Sequence, residues 1–535
     1  MTSYARLVST VILLVYQVTL IECQLKHKRK DAKYLIIGAG IAGLAAAKNL
    51  VDHNETDFLI LEAHSKIGGR IRSEVVDGIT LELGCQWINS YSSPIGQLAN
   101  RVNLDMRDEP GNDLQYRDTN GANITGLALA RYNQYDSAYK YTANLANQLI
   151  YDNKRKPDIS LRSALALGGW RPRDSLDYAI EYPDMDFDYG QEPEVTSLRH
   201  SPAPWFNDDS SYEELIVIDQ DGGLFQIARQ LLDDVMGNDD RRLKLNHLIT
   251  EILYADDGVR VTTSDKRSYT ADYVIITVSL GVLQNEVITF DPPLPGWKRY
   301  SLMAATLVTD YPIYVVFPKD QKPFWEDFDI TLHVHDRRGY YPLWQNYDKF
   351  INKSRVLQAQ LSGSEAKRIA RLNDEEIKSE IRSVLSNMYN VTIPEMKVVV
   401  PRWDTDPLFY GSYTDWSPSF SDSSFDALQA SVGRLYFAGE AYHRLYFGYM
   451  EGAYASAMDQ TNKLLQCVSD SSKCKHYVPP YESQGCTYEA AKNYDEEAQM
   501  DDGTCQFEKT PINGCLSRWP QMTLLLYLGI LVSGF

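Results

Sequence analysis

A short apolar run, Tyr34-Leu35-Ile36-Ile37, leads directly into Gly38-Ala39-Gly40-Ile41-Ala42-Gly43 and then into helix-forming residues 44–50. A second apolar run, Phe58-Leu59-Ile60-Leu61, ends on Glu62. This order predicts strand, glycine turn, helix, strand and acid, because four-residue apolar runs suit buried strands. Gly38 allows the tight turn. Gly40 lets the backbone approach a pyrophosphate, and Gly43 lets the helix pack close to the strand. The helix start offers free N–H groups and a positive dipole end to phosphates. Glu62 is placed to accept hydrogen bonds from a ribose hydroxyl pair. The glycine pattern alone is weak, but all parts in this order point to a dinucleotide site.

The next segments indicate which dinucleotide. Gly68-Gly69-Arg70 follows Glu62, and Glu82-Leu83-Gly84-Cys85-Gln86-Trp87 comes shortly after. These resemble two signatures of the flavin-containing amine oxidases. In that family the arginine pairs with a phosphate, and the second segment, here with Gln86 and Trp87, lies beside the isoalloxazine. The match continues over residues 33–467 and is nearest to polyamine oxidases. Thr277-Val278-Ser279-Leu280-Gly281 is similar to a closing flavin-domain segment, and the backbone near Leu248 corresponds to an adenine contact. Pro401-Arg402-Trp403 matches a signature that sets Trp403 near the flavin ring. Gly433 to Glu440, followed by a helix opening at Gly448-Tyr449-Met450, matches the segment that holds the flavin end, with Glu440 near the ribityl phosphate.

The resemblance implies an α/β fold: a Rossmann-like FAD-binding domain interleaved with an α+β substrate domain. The implied boundaries are 33–101, 206–291 and 400–467 for the FAD domain, and 102–205 and 292–399 for the substrate domain. It implies oxidation of an amine C–N bond with O2, giving H2O2. Tyr413 and Tyr449 correspond to two aromatics that sandwich the substrate amine, and electron-rich rings suit a cation. No cysteine lies between Glu440 and Tyr449, so FAD is expected to be non-covalent.

Three positions depart from the family pattern. The family holds a lysine ahead of a Phe-Pro step, bonded through water to the flavin. Gapless pairing on Phe317-Pro318 puts Pro312 there, so no catalytic residue is assigned at that position. Lys319 or Lys298 is the alternative cation. Two family acids at the substrate fall at Asn89 and at Gln191, or at Glu192 if the loop shifts by one. A second functional reading follows: an FAD-binding relative with impaired turnover and a binding or matrix role.

Other expectations come from local pattern. The net charge of −19 argues against nucleic acid as partner and would steer small cations, though solubility is the better account of it. Residues 1–23, with Arg6 ahead of an apolar stretch at 7–21, read as a secretory signal. Sequons at Asn54, Asn123, Asn352 and Asn390 agree with export. Cys467, Cys474, Cys486, Cys505 and Cys515 define a tail, 468–515, that reads as disulfide-stapled. Zinc is the rival, with spacings that do not fit. Residues 516–535 are a hydrophobic C-terminal signal or anchor. The last fourteen residues are mostly apolar and short for a span, and resemble a GPI-attachment signal with Asn513-Gly514 as a site. The expected location is therefore secreted or at the outer membrane surface. His333 and His335 alternate on a predicted strand; with no third ligand, a hydrogen-bonded strand face is expected rather than a metal. Helices are predicted at 127–151, with Leu129, Tyr132, Tyr135 and Tyr139 on one stripe, at 224–236, and at 373–388, with Asn373 and Glu376 as capping pair. Strands are predicted at 245–252, 259–263, 271–278, 313–317 and 331–335, and 182–198 as irregular.

Overall fold

A computed structural model describes residues 30–108, 113–149, 157–201, 215–237, 240–474 and, within 477–507, all but 480–483, 489–490, 497, 499 and 502. The expected signal, Cys515, Asn513-Gly514 and the C-terminal apolar run lie outside the described residues.

Five parallel strands form the central sheet, in the order Leu435–Phe437, Tyr273–Ile276, Tyr34–Ile37, Phe58–Leu61, Leu243–Lys244. The alternation within Tyr34–Ile37 explains its unbroken apolar sequence. Tyr34 and Ile36 face a core made with the helices Ile41–Asp52, Phe225–Val235 and Met450–Ser469. Leu35 and Ile37 face the opposite core, whose far side is a four-stranded sheet, antiparallel except for its edge strand Thr289–Asp291, carrying Ile252, Val259 and Val261. A strand covered on both sides has no polar face to show.

A six-stranded mixed sheet runs Lys397–Val399, Asp310–Val316, Val356–Ser362, Leu343–Asn346, Ile330–Val334, Leu114–Asp118. In Asp310–Val316 the odd residues Tyr311, Ile313 and Val315 face the helix Asp374–Tyr389. That helix has the expected stripe of Ile377, Ile381, Val384, Leu385 and Met388, and Asn373 and Glu376 form the expected capping box. On the other face, Asp310 and Pro312 reach the cleft described below, while Tyr314 and Val316 pack with Ile79, Leu81 and Ile216.

Several predicted boundaries shift. The strand expected from Ile313 begins at Asp310 and contains Pro312. Proline is tolerated there because residues 310–313 have a strand neighbour on one side only, Val356–Ser362, while Lys397–Val399 pairs with 314–316. The strand expected at 245–252 is split: Leu243–Lys244 joins the parallel sheet, and Ile249–Ala255 the antiparallel one. The helix expected from residue 127 spans Thr125–Asn147, and its buried stripe is Ala128, Tyr135, Ala138, Thr142 and Ala146. Leu129 and Tyr132 are exposed, because small residues allow the close approach of the helix Leu161–Leu167. Within 182–198 there is a wide helical turn at Pro183–Phe187.

Disulfides join Cys467 to Cys474 and Cys486 to Cys505. The tail they staple docks on the helix Gly296–Ala304, where Gly296 N donates to Asp501 Oδ2 at 2.9 Å and Trp297 packs on Tyr477. Among the described residues no helix is long and apolar enough to cross a membrane.

Asn373→Ala removes one half of the capping box and should cost about 1 kcal/mol. In a chain of this size that is a fall in thermal midpoint of about 1–2 °C, read by calorimetry.

Candidate active site

The carboxyl ends of the parallel strands open onto one long cleft. Its walls include Gly38, Gly40, Glu62, Gly68, Gly69, Arg70, Gln86, Trp87, Leu248, Trp403, Glu440, Tyr449 and Met450, which covers every expected cofactor residue except Gly43. Ligands bind at this edge of doubly wound sheets because the loops and helix starts converge there.

The three glycines of the first turn have separate physical reasons. Gly38 sits at φ +105°, and a Cβ there would meet Thr277 Oγ1 at 2.6 Å. A Cβ on Gly43 would overlap the Gly38 carbonyl oxygen, so Gly43 does not line the cleft but lets helix Ile41–Asp52 lie on its strand. Gly40 is different: its φ is −77°, and the nearest protein atoms to an added Cβ are 3.9 Å away. The protein itself does not require glycine at this position, so the open space belongs to a ligand. The helix beginning after Gly40 has no side-chain cap, and neither does the helix Met450–Ser469 beginning after Tyr449. Two helix starts without a side-chain cap therefore open onto the same cleft.

Glu62 follows the strand Phe58–Leu61. Its Oε2 accepts from Ala39 N at 2.7 Å and its Oε1 from His64 N at 2.7 Å. Burial nonetheless pushes its carboxyl above the usual range. Its orientation beside the glycine turn is thus set by backbone, with carboxylate lone pairs left for a ribose. Arg70 donates to Glu440 Oε1 at 2.8 Å and to Ser412 O at 2.9 Å. Glu440 Oε2 accepts from Thr414 Oγ1 at 2.5 Å and from Gly448 N at 2.9 Å. Trp403 donates its indole N–H to Leu83 O at 2.8 Å, under the guanidinium of Arg72. A Cβ on Gly84 would collide with the Arg70 carbonyl and lie 3.3 Å from Trp403, which explains glycine in that segment. The residues present fit an extended dinucleotide held from both ends.

The other half of the cleft is lined by Tyr413, Tyr449, Trp87, Phe187, Tyr189 and Phe447, together with Asp310, Pro312, Gln360 and Asp415. The expected aromatic pair, Tyr413 and Tyr449, is thus brought to the cleft, and so is Pro312. Neither alternative lysine is there. Lys298 is buried and donates to the carbonyls of Ala427, Leu428 and Ala430, closing the end of the helix Asp422–Gln429. Lys319 lies by Gly78. Asn89 and Gln191 do not line the cleft either. Asn89 bonds to Glu451 through its N–H at 3.1 Å, and Gln191 Nε2 donates to Asp415 Oδ2 at 2.6 Å. Glu192 accepts from Ser364 N at 2.9 Å, at the start of the helix Gly363–Ile369. His333 bonds to the Tyr340 carbonyl at 3.0 Å, and His335 accepts from Arg337 N at 2.9 Å with its ring tilted against that of His333, so both support a loop.

Three carboxylates of the cleft were not anticipated: Asp188, Asp310 and Asp415. Asp310 and Asp415 are both pushed up to about 7 by burial, against hydrogen bonds that favour their anions. Gln191, read as a lost acid, instead holds Asp415. The available signal was strand alternation: Asp415 is two residues from Tyr413 and Asp310 two from Pro312, so each shares a face with an identified position.

The parallel sheet, the two uncapped helix starts and the glycine cradle define a flavoprotein of the two-domain FAD-binding class. A family model described as flavin containing amine oxidoreductase matches residues 41–465. Polyamine oxidase 6 of Oryza sativa subsp. japonica is 34% identical over 469 residues, covering 83% of this chain and 93% of that protein. Polyamine oxidase 1 of Zea mays is 32% identical over 469 residues, covering 83% and 92%. Among solved structures, cyclohexylamine oxidase from Brevibacterium oxydans IH-35A superposes with TM-score 0.64 at 19% identity, covering 82% of this chain and 100% of that one. A redesigned putrescine oxidase does so with TM-score 0.64 at 17% identity, covering 81% and 99%. The chain belongs to the flavin-containing amine oxidoreductases, and its cofactor is FAD.

Gly40→Val should fold with near-normal stability yet lose bound FAD, because only the ligand occupies that space. Gly43→Val should lose stability as well, because its side chain overlaps the Gly38 backbone. Flavin absorbance per protein after gel filtration, with calorimetry of each variant, separates the two.

Proposed function

We propose that this chain oxidises polyamines or related amines with O2, releasing H2O2, as a secreted or surface-anchored enzyme. The observation that carries the substrate class is the wall beside Tyr413 and Tyr449, where Asp310 and Asp415 stand in the same cleft as the FAD cradle. Aromatic faces and anions together suit a substrate with more than one cationic nitrogen. The names of the relatives agree with that class. FAD, when bound, supplies the two-electron acceptor and the route of the electrons to O2; the protein supplies placement and charge.

Tyr413 is held for this task. Its hydroxyl bonds to Asp310, and burial pushes its phenol well above the usual range, so it remains neutral. The Gly190 and Gly448 backbones approach its ring so closely that a Cβ at either would clash or crowd it. Asp415 is oriented by Gln191 and Ser201 and faces the cleft from the same strand, Tyr413–Asp415.

Export is supported by the apolar N-terminal pattern, the two disulfides and the exposure of all four sequon asparagines, Asn54, Asn123, Asn352 and Asn390. A surface anchor rests on the C-terminal pattern alone.

The test is anaerobic mixing with spermine and spermidine while following the oxidised-flavin absorbance. Bleaching, with H2O2 appearing when air is readmitted, is the expected result. A yellow protein that no amine bleaches would overturn the oxidase reading and favour a binding role, for which Pro312 is the specific observation. Amine affinity should also rise with pH between 6 and 8. Both aspartates lose their protons near 7, whereas the amine stays cationic there, so attraction appears as pH increases. Asp415→Asn should weaken spermine binding roughly tenfold or more, the loss of one charged hydrogen bond, and flatten that rise.

A further inference from the structure

The sheet face that carries Asp310 and Pro312 into the cleft bears a row of hydrogen-bonded side chains. Asp310 lies opposite Ser362, Pro312 opposite Gln360, and Tyr314 opposite Gln358. Tyr314 donates its hydroxyl to the Glu82 carbonyl at 2.6 Å and accepts from Gln86 Nε2 at 3.1 Å. Gln358 Nε2 donates to Gln86 Oε1 at 3.4 Å and to Gln360 Oε1 at 2.9 Å. Gln360 Nε2 then donates to Asp310 Oδ2 at 2.9 Å, and Ser362 Oγ donates to Asp310 Oδ1 at 2.7 Å. The Tyr413 hydroxyl also bonds to the carboxylate. The row therefore ends on Asp310, where three neutral donors converge on one carboxylate in the wall of the cleft.

We propose that Asp310 is the proton acceptor of this site, pairing with the substrate ammonium and taking its proton. The inference rests on the amine-oxidase reading above. An ammonium nitrogen has no lone pair to support loss of hydride from its neighbouring carbon, so the proton must leave first. In the step, one substrate N–H bond breaks, its electron pair stays on nitrogen, and an O–H bond forms on Asp310. Charge balances: cation and carboxylate become amine and carboxylic acid, with no oxidant involved. Geometry favours Asp310 because it shares a strand face with Pro312, which has neither charge nor N–H. It also contacts Tyr413, one of the two rings that receive the amine. Burial sets the acid near 7, where a proton acceptor works best at neutral pH. The titratable groups that feel its charge are Tyr413 on the strand beside it, Tyr182 through Ser362, and Tyr311 on its own strand, all with phenols raised above the usual range. Asp415 lies beyond Tyr413 and titrates in the same region, so the variants below are read against it.

The experiment uses the FAD-loaded full chain and tert-butylamine, whose amine carbon bears no hydrogen, so that it binds without being oxidised. Protons released on binding are counted by calorimetry at pH 6.5 in buffers of different ionisation enthalpy. Asp310→Asn should release about 0.8 proton fewer than wild type, the fraction of an acid titrating near 7 that is protonated at that pH. In anaerobic reduction by spermine, the same variant should be about 10²–10⁴-fold slower and lose the acid limb of its pH profile. Ser362→Ala keeps the carboxylate but removes a donor to its anion, so it should move that limb to higher pH; it serves also if the asparagine variant misfolds. An unchanged proton count with an unmoved limb overturns the assignment. A wild type that no amine bleaches, but whose proton release falls in Asp310→Asn, overturns the oxidase reading and leaves Asp310 as the carboxylate that pairs with the amine.

Discussion

One carboxylate ties the site together. Glu440 joins Arg70 from the first glycine-rich segment, Thr414 from the strand that carries Tyr413, and Gly448 from the turn before the last helix. Arg70 is 370 residues from Glu440 in the chain, whereas Thr414 and Gly448 are 26 and 8 residues from it. Glu440 is buried, and a buried carboxylate is tolerable only when its lone pairs are filled. Satisfying it fixes the distance between the two uncapped helix starts. It also positions Tyr413 relative to the flavin end, so cofactor and substrate geometry depend on the same bonds.

The second constraint is the polar face of the substrate sheet. A buried row of Gln358, Gln360, Tyr314 and Asp310 would be costly if any donor lacked an acceptor. Here neighbouring side chains hold one another and make the wall rigid: Gln358 donates on one side to Gln86, which leads through Tyr314 to the Glu82 carbonyl, and on the other to Gln360, which donates to Asp310. Pro312 fits this arrangement because its strand is one-sided at that level. Position 312 holds a proline, and the two lysines weighed as alternative cations are used elsewhere: Lys298 closes a helix end, and Lys319 lies by Gly78. The change at 312 therefore goes with a different polar arrangement of the wall and not with a nearby replacement cation.

Much of the cofactor half was legible in the sequence, because its requirements are local. A turn of φ +105° needs glycine, and a strand between two cores needs four apolar residues. Such needs leave contiguous patterns, and Gly38, Glu62, Arg70, Trp403 and Glu440 all stand at one cleft as their motifs implied. The capping box at Asn373 was legible for the same reason. The substrate half was less so. Gapless pairing drew attention to Asn89, Gln191 and Pro312, yet two of these face other side chains. The stripe expected at Leu129 and Tyr132 failed because alanines, which carry little pattern, make the actual contact.

By itself, the sequence determined the nucleotide-binding strand order, the glycine positions and the family, since these follow from backbone conformation and burial over short spans. Only the tertiary structure decided which acids reach the cleft. Asp310 and Asp415 lie on strands whose neighbours come from distant parts of the chain, and their character is set by the donors around them: Gln360, Ser362 and Tyr413 for one, Gln191 and Ser201 for the other. A carboxylate's charge depends on what surrounds it in space, and that information is not local in the chain.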